Sequence, residues 1–482
     1  MQQLPDLSSL SHAQRGELIL EQWAMQQMLI AQVDALRVEV NELQARLNLN
    51  SRNSSKPPSS DGLNKPQPKS LRKAGQRPVG GQKGHKGHTL CQVAEPNEVV
   101  IHAPPERCDV CHGPLGQTSV VEARQVYDLP DLRYQVTEHR VLQSMCTCGK
   151  THRGVFPPDV TAAVQYGPRA KAAAVHLNQY QMLPLKRTGE VMGDLFDMPM
   201  SEATILSANA EAAQVLAPTV TAIAQELVNR PIVHADETGL RVNKLLHWLH
   251  TLVTEKLTWL GRHEKRGMAA FIEHGILPLF KGTLVHDGWG SYRMLGSRHS
   301  LCNAHHVREL TYVHEQLKQD WAGRSIEVLL SANSLIHQLR AQGQIDYTAP
   351  EHLQRVRDLR SQFEATLAEG DLLNPRVQAN GRRSRIKQSK AANLIGRLRD
   401  YSDDVWRFMT EPNVPFTNNL AEQAVRMPKV KQKISGCFRT SDGADIYCII
   451  RSYLATLNKQ GAKLFDALIQ AFQGTPVQPR FG

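Results

Sequence analysis

The feature that most constrains this chain is a stretch from residue 50 to residue 90 that is too rich in proline, glycine and serine to build a core. It reads SSKPPSSDG, KPQPKS and GGQKGHKGH in succession. Segments of this composition bury too little apolar surface to offset the entropy lost on ordering. We therefore predict a mobile linker over residues 51–95. Nine residues between 50 and 90 are basic and one is acidic, so the linker is either a solvated spacer or an arm that touches DNA.

The whole chain of 482 residues is too long for one ordinary core, so we predict several domains. A hydrophobic content of 41% and a mean hydropathy of -0.39 are typical of globular proteins. No uncharged run reaches the roughly 18 residues of a membrane span, and the N-terminus lacks the order of a secretory signal. We expect a cytoplasmic protein without membrane contact. A net charge of +11 favours a polyanionic partner such as the DNA of the nucleoid.

Residues 1–50 contain a helical pattern in which apolar residues recur at spacings of four and three. This seam comprises Leu29, Val33, Leu36, Val40, Leu43 and Leu47. The spacing predicts a coiled coil, and because fewer than three heptads are marginal alone, a partner helix should stabilise it. The simplest partner is the same helix of a second copy, which predicts a homodimer or higher oligomer. An amphipathic helix that packs within the chain is the alternative.

Residues 96–158 carry two close cysteine pairs. The pairs are Cys108 with Cys111 and Cys146 with Cys148. Two pairs on turns beside strands are the ligand layout of a zinc ribbon, since tetrahedral Zn²⁺ takes four soft donors. Between them, residues 120–142 alternate Val, Tyr and Leu as strands do. The second pair is CxC rather than CxxC, so the fourth ligand is open: a histidine could replace one cysteine, and buried thiols without metal are the alternative. The candidate histidines are His112, His139 and His152.

Residues 159–229 are rich in alanine and helical in pattern. Two helices joined by a short turn are predicted, with Ser201 as the N-cap of the second. A helix-turn-helix would place that second helix in the major groove of DNA. An ordinary helical hairpin fits the same residues.

Two aspartates follow apolar runs that read as strands. Asp236 follows RPIVHA, and Asp287 follows GTLVH about fifty positions later. We expect each aspartate at or just beyond a strand end. Carboxylates at the ends of neighbouring strands could share a divalent cation, because Mg²⁺ prefers oxygen ligands.

A third acid lies far downstream, in FTNNLAEQAVRMPKVKQKISGCFRT. Asn418 and Asn419 are typical of a helix start, which places Glu422 in the first turn. Basic residues follow it without an acid, as a stripe suited to a phosphate backbone or as a solvated helix face. The stripe comprises Arg426, Lys429, Lys431, Lys433 and Arg439.

These motifs together resemble the insertion-sequence transposases of the IS66 family, members of the DDE superfamily. The resemblance rests on HADETGLRV, HDGWGSYR, CNAHHVREL and NNLAEQAVRMPKVKQKISGCFRTSDGA, in this order and preceded by NSSKPPSSDG and the paired cysteines. It implies a multidomain α/β protein with an RNase H-like catalytic core at 230–460, a mixed sheet flanked by helices. It also implies that Asp236, Asp287 and Glu422 are the DDE triad. They would hold Mg²⁺ or Mn²⁺, with Asp236 bridging two ions.

The gap between Asp287 and Glu422 indicates a helical insertion at about 310–405. Near its start, Cys302 and His305 match a CxxH signature of DDE transposases with such insertions. Two ligands do not close a zinc site, so we interpret this pair as packing and support for the active site. Residues 381–387 (GRRSRIK) form a basic cluster that could follow DNA.

The resemblance implies a transposase that cleaves the ends of its insertion sequence and transfers the freed 3′-hydroxyl to target DNA, with the metal activating the nucleophile. Small accessory proteins encoded by the same element are expected partners. The alternatives are a zinc-containing DNA-binding regulator and a metal-dependent nuclease without strand transfer. The C-terminal tail, 461–482, contains no feature that predicts a structure or a role.

Overall fold

A computed structural model of the chain describes residues 11–54, 61, 90–343, 345–377, 386 and 388–482. The rest of the predicted linker, and residues 381–385 and 387 of the predicted basic cluster, lie outside the described residues. In chain order the elements are α1 (His12–Leu47), β1 (Gln143–Met145), β2 (Thr151–Arg153), α2 (Pro168–Val175), α3 (Leu185–Phe196), α4 (Glu202–Val228), β3 (Ile232–Val242), β4 (Leu245–Val253), β5 (Thr258–His263), α5 (Met268–His274), β6 (Thr283–His286), β7 (Arg298–Leu301), α6 (Asn303–Leu317), α7 (Asp320–Ala341), α8 (Pro350–Leu373), α9 (Lys390–Asp400), α10 (Ser402–Thr410), α11 (Asn419–Ser435), α12 (Ser441–Lys459) and α13 (Leu464–Phe472).

The chain divides into two compact units. The first comprises Met1–Lys69, Thr161–Thr188 and Glu202–Gly482, and the second comprises Ser70–Val160 and Gly189–Ser201. No described helix combines the length and the apolar character that a membrane span requires.

Helix α1 confirms the predicted helical N-terminal segment. It begins at a capping box in which the Ser11 side chain accepts the Gln14 N–H and the Gln14 side chain accepts the Ser11 N–H. The seam from Leu29 to Leu47 is exposed to solvent. Only the end of the segment is anchored, since Ala45 is buried in the core formed by α6–α10 and Arg52 pairs with Glu315 of α6.

The second unit contains the cysteine pairs and little regular structure. Strands β1 and β2 form a short antiparallel hairpin around Cys146 and Cys148. The strands expected over residues 120–142 are absent from this fully described segment, so that prediction is wrong. Its apolar side chains, such as Val121 at 96% exposure, meet no second layer. An alternating pattern forms a stable sheet only when one face is buried.

A five-stranded mixed sheet lies at the centre of the first unit, in the order β5-β4-β3-β6-β7. Strands β3, β4 and β5 pair antiparallel, whereas β6 pairs parallel with β3 and β7 parallel with β6. The two-residue turn between β3 and β4 places Asn243 and Lys244 at positive φ, as tight hairpins require.

Helices cover both faces of this sheet, which confirms the predicted mixed sheet flanked by helices. Leu240 of β3 packs against Tyr447 of α12 on one face. Val233 of β3 packs against Phe271 of α5 and Ile223 of α4 on the other. Because successive residues of a strand point to opposite faces, even-numbered residues of β3 face α12 and odd-numbered residues face α5.

Two helical layers complete the first unit. Helices α6–α10 share a core that includes Trp321, Phe363 and Trp406. Helices α2, α4, α12 and α13 share another. Helix α13 lies in the tail for which the sequence predicted no structure, and its apolar residues Leu468 and Ala471 are buried in that second core.

Candidate active site

Asp236 and Asp287 occupy matching positions on neighbouring parallel strands. Strands β3 and β6 pair Ile232 with Thr283, Val233 with Leu284 and His234 with Val285. Each aspartate lies two residues beyond the last of these pairs, so the two carboxylates project to the same face of the sheet. The expectation that the two acids lie on adjacent strands is therefore met.

The position of Asp236 within its strand differs from the prediction. Asp287 directly follows β6, as expected, but Asp236 lies inside the eleven-residue strand β3. The parallel pairing with β6 ends at His234, whereas the antiparallel pairing with β4 continues to Val242. The apolar run before Asp236 therefore ends close to where the parallel pairing with β6 ends, although the strand itself continues.

Backbone N–H groups fix the orientation of both carboxylates. Oδ1 of Asp236 accepts the N–H of Glu237 at 2.8 Å, and Oδ1 of Asp287 accepts the N–H of Trp289 at 2.8 Å. The loop after Asp287 turns through Gly288, whose φ of +91° favours glycine.

Glu422 is brought to the same face by helix α11. Asn418 lies at the N-cap position, as predicted, but its side chain does not cap the helix. Instead Nδ2 donates to the carbonyl of Ala235 at 2.8 Å, and Oδ1 lies 2.9 Å from Nδ1 of His234. Asn418 is buried, and Glu422 follows one helical turn later. The helix that carries Glu422 is thus bonded to the strand that carries Asp236, next to that aspartate.

The pKa of Asp236 is raised by burial and by the neighbouring acidic side chains. Burial, followed by the nearby carboxylates of Glu237, Asp287 and Glu422, raises its pKa to about 8. A buried carboxylate beside three others disfavours its own ionised form. A divalent cation would offset this penalty, so the donor set fits a hard metal ion.

Glu237 is a buried acid that sequence reasoning missed. It points to the opposite face from Asp236, where Tyr292 donates to Oε2 and Arg266 donates from Nε to Oε1 at 2.8 Å. The Arg266 guanidinium lies over Trp289 and Trp248, with its carbon 3.7 Å and 4.7 Å from the two ring centroids. This cluster ties the loop that follows Asp287 to β3. The only sequence signal was the position of Glu237 beside a candidate catalytic acid.

His286, the residue before Asp287, also supports the loop. Its Nδ1 accepts the Gly288 N–H at 3.0 Å, so the proton is assigned to Nε2, which lies 3.1 Å from Nδ1 of His299. Burial holds the pKa of His286 well below its usual range. The neutral ring therefore acts as a fixed hydrogen-bonding link between two strands.

The CxxH pair lies directly against Glu422. Cys302 lies at the N-cap position of helix α6, and its Sγ accepts the backbone N–H of Asn418 at 3.1 Å. The same thiol lies 3.8 Å from Glu422 Oε1, and Nδ1 of His305 lies 3.8 Å from that oxygen. Among the described residues, these three side chains form the group whose metal-ligating atoms lie within 4.8 Å of one another.

The predicted basic stripe divides into two sets. Arg426, Lys433 and Arg439 are exposed. Lys429 instead donates to the Gly239 carbonyl at 2.6 Å, and Lys431 lies over the Phe438 and Tyr447 rings, 5.3 Å from each centroid. Burial lowers the pKa of Lys431 to about 8. Lys429 and Lys431 thus contact the protein itself, although Lys429 is exposed like the other three.

The cysteine pairs form two separate turns. The N–H of Cys108 bonds the Gly113 carbonyl at 3.0 Å, and the N–H of Cys146 bonds the Lys150 carbonyl at 2.8 Å. Hydrogen bonds from the backbone of Cys111 and Val110 lower the pKa of the Cys108 thiol, and those from Cys148 lower that of Cys146. The four thiols do not lie within 4.8 Å of one another, although every one of them is described.

Comparison with the sequence models of known protein families tests the family resemblance that the motifs suggest. Residues 163–446, more than half of the chain, match the sequence model of the transposase IS66 family. This chain belongs to the IS66 family of transposases. In this IS66-family chain the matched range contains Asp236, Asp287 and Glu422 together with the CxxH pair.

A second match covers the N-terminal region. Residues 2–90 match the model of a family of unknown function (DUF6444), which includes α1 and most of the predicted linker. The four paired cysteines lie between the two matched ranges of this IS66-family chain. No curated protein matches it significantly.

Proposed function

We propose that this IS66-family transposase cleaves the ends of its insertion sequence and joins them to target DNA, with Asp236, Asp287 and Glu422 as a DDE triad. The observation that carries the proposal is the register of the two aspartates on parallel strands, with Glu422 held against the same strand by Asn418. The order and directions of the five strands support an RNase H-like core, with α6–α10 as its helical insertion.

The three acids would hold Mg²⁺ or Mn²⁺. The raised pKa of Asp236 supports this, because clustered carboxylates keep their charges only when a cation balances them. When bound, the metal supplies a Lewis acid that favours deprotonation of the attacking hydroxyl and offsets charge on the leaving oxygen. No covalent intermediate on the protein is needed.

The chain's own residues position the reaction. The backbone N–H groups of Glu237 and Trp289 fix the two aspartates, and the Asn418 bonds fix α11. Water attacks the phosphodiester at the element end and releases a DNA 3′-hydroxyl, which then attacks a target phosphodiester. Exposed Arg426, Lys433 and Arg439 are available to phosphates along the same helix and the loop after it.

The other regions are proposed to bind and align DNA in the cytoplasm. We propose that residues 96–158 form a zinc ribbon, supported by the two cysteine turns, which the bonds from Cys108 N–H to Gly113 and from Cys146 N–H to Lys150 close. Helix α1 would pair with α1 of a second copy through its exposed seam. Residues 159–229 would add contacts to DNA.

Strand transfer by purified protein tests the proposed reaction. The substrate is labelled DNA carrying the repeats that flank the gene, in Mg²⁺, with element-encoded accessory proteins added in a parallel reaction. Asp236→Asn, Asp287→Asn and Glu422→Gln should each abolish cleavage and joining while DNA binding persists. The matched control is Asp442→Asn, an exposed acid at the start of α12.

The products discriminate between the candidate functions. Joined DNA from the wild type and the control alone supports the proposal. Cleaved but unjoined DNA would favour a nuclease, and binding without either product would favour a regulator. Joined product from Glu422→Gln would refute the assigned triad.

A further inference from the structure

We propose that Cys302, His305 and Glu422 form a binding site for a thiophilic divalent cation of the Zn²⁺ class, adjacent to the proposed catalytic acids. The CxxH pair alone offers two ligands, which do not close a metal site. The fold supplies a third ligand, Glu422, which lies 117 positions after His305 and 120 after Cys302. Helix α11 places it against the start of α6. A sulfur, an imidazole nitrogen and a carboxylate oxygen are a donor set that Zn²⁺ takes and Mg²⁺ does not.

The distances between donors fit this interpretation. Glu422 Oε1 lies 3.8 Å from Cys302 Sγ and 3.8 Å from His305 Nδ1. In a tetrahedral site, with bond lengths of about 2.3 Å to sulfur and about 2.0 Å to nitrogen and oxygen, neighbouring donors lie roughly 3.3–3.5 Å apart. Both distances to Glu422 are therefore within about half an ångström of the spacing that one shared ion requires, and the Cys302 and His305 donor atoms lie within 4.8 Å of each other.

Cys302 is held in place at the start of α6. It lies at the N-cap position of that helix, and its Sγ accepts the Asn418 N–H at 3.1 Å. A hydrogen bond from a backbone N–H to sulfur favours a thiolate over a thiol.

The histidine at this site has a nitrogen without a partner. Nδ1 of His305 is buried without a hydrogen-bond partner among the described residues. Cys302 is buried, and a cysteine binds a cation as the thiolate, so metal binding at this site would release a proton. An ion here would satisfy the histidine nitrogen, the sulfur and one carboxylate oxygen together.

Three protein ligands leave a fourth position open, as in zinc sites that exchange ligands. Glu422 has two carboxylate oxygens, and the CxxH pair faces Oε1. An ion held there would fix the orientation of Glu422 relative to Asp236 and Asp287. This consequence rests on the proposed function, whereas the binding of the cation does not.

Cadmium titration of the full-length chain tests the site without DNA, Mg²⁺ or activity. The parent variant changes Cys108, Cys111, Cys146 and Cys148 to serine, which removes the proposed ribbon. Thiolate-to-Cd²⁺ charge-transfer absorption should appear and saturate at one equivalent. Cys302→Ser should abolish the absorption, and His305→Ala should weaken binding at least about tenfold. Cys448→Ser, which removes another buried thiol, is the matched control and should bind as the parent does.

Folding of the variants is checked by thermal unfolding. If Cys302→Ser fails to fold, His305→Ala carries the test, because His305 is only partly buried. If the parent is insoluble, Cd²⁺ is titrated into the unaltered chain instead, and His305→Ala should weaken one of its sites at least about tenfold. A parent without charge-transfer absorption, or absorption unchanged in both variants, would overturn the proposal. A failed strand-transfer experiment would leave this result intact.

Discussion

Asn418 donates from Nδ2 to the carbonyl of Ala235 across 183 positions of sequence, at 2.8 Å. Ala235 precedes Asp236 on β3, and Asn418 precedes by one turn the glutamate that completes the proposed triad. A single amide side chain therefore links the strand and the helix on which the acids lie. Asn418 also occupies the N-cap position of α11, where an asparagine side chain would ordinarily accept a backbone N–H of the first helical turn.

Asn418→Ala should impair cleavage without touching any acid. The substitution leaves the Ala235 carbonyl and a His234 nitrogen unpaired, at a cost of about 1–3 kcal/mol for a buried polar group. Displacement of Glu422 by about 1 Å would lower the cleavage rate roughly 100-fold. Single-turnover cleavage and urea unfolding measure the two effects. Asn419→Ala, an exposed neighbour, is the control, and wild-type cleavage by Asn418→Ala would contradict the linking role.

Local patterns made the strands, helices and acids predictable. The apolar runs before Asp236 and Asp287 indicated neighbouring strands because burial on both faces of a parallel pair leaves a continuous apolar signature. The paired asparagines marked the start of α11 correctly. What the Asn418 side chain bonds depends on the folded position of β3, and no local pattern contains that information.

Other features depended on neighbours that the sequence does not reveal. The alternation over residues 120–142 predicted strands, yet no layer covers those side chains in the second unit. Helix α13 went unrecognised because its short apolar pattern gains stability only from packing on α2, α4 and α12. The role of Glu237 was hidden because Arg266 and Tyr292 reach it from separate segments.

Zinc binding should determine whether residues 90–160 of the second unit are folded. None of the residues 90–160, all of which are described, is buried, so this region has no core to stabilise it and metal binding would supply the free energy of folding. Cys148→Ser should release one Zn²⁺ per chain and make residues 91–160 sensitive to protease. Elemental analysis and limited proteolysis measure both. Cys91→Ser should retain the metal, and equal zinc content in the two variants would contradict a ribbon.

The exposed seam of α1 should mediate dimerisation. Valine at positions 33 and 40 with leucine at positions 29, 36 and 43 is the arrangement that favours parallel two-stranded coiled coils. Leu36→Lys combined with Val40→Lys places charges in that seam and should convert the dimer to a monomer in sedimentation equilibrium. The control combines Ala35→Lys with Asn41→Lys, which lie on the side of the helix away from the seam. A dimer that survives the seam variant would place the interface elsewhere.

Buried histidines should make the first unit sensitive to mild acid. Burial lowers the pKa of His234 and His274 to about 4 and that of His250 and His306 to about 3. Below pH 6.5 the unfolded chain therefore binds protons that the folded chain does not, so the free energy of unfolding falls as pH falls. Each histidine should cost about 1–2 kcal/mol by pH 5.

Urea unfolding across this pH range measures the effect, because the slope of the unfolding free energy against pH counts the protons taken up. His306→Gln removes one titrating group and should flatten the slope by close to one proton, whatever it does to the stability at neutral pH. The matched control is His314→Gln, which replaces a histidine whose side chain is 45% exposed. Parallel slopes for His306→Gln and the wild type would show that His306 does not contribute to the acid sensitivity.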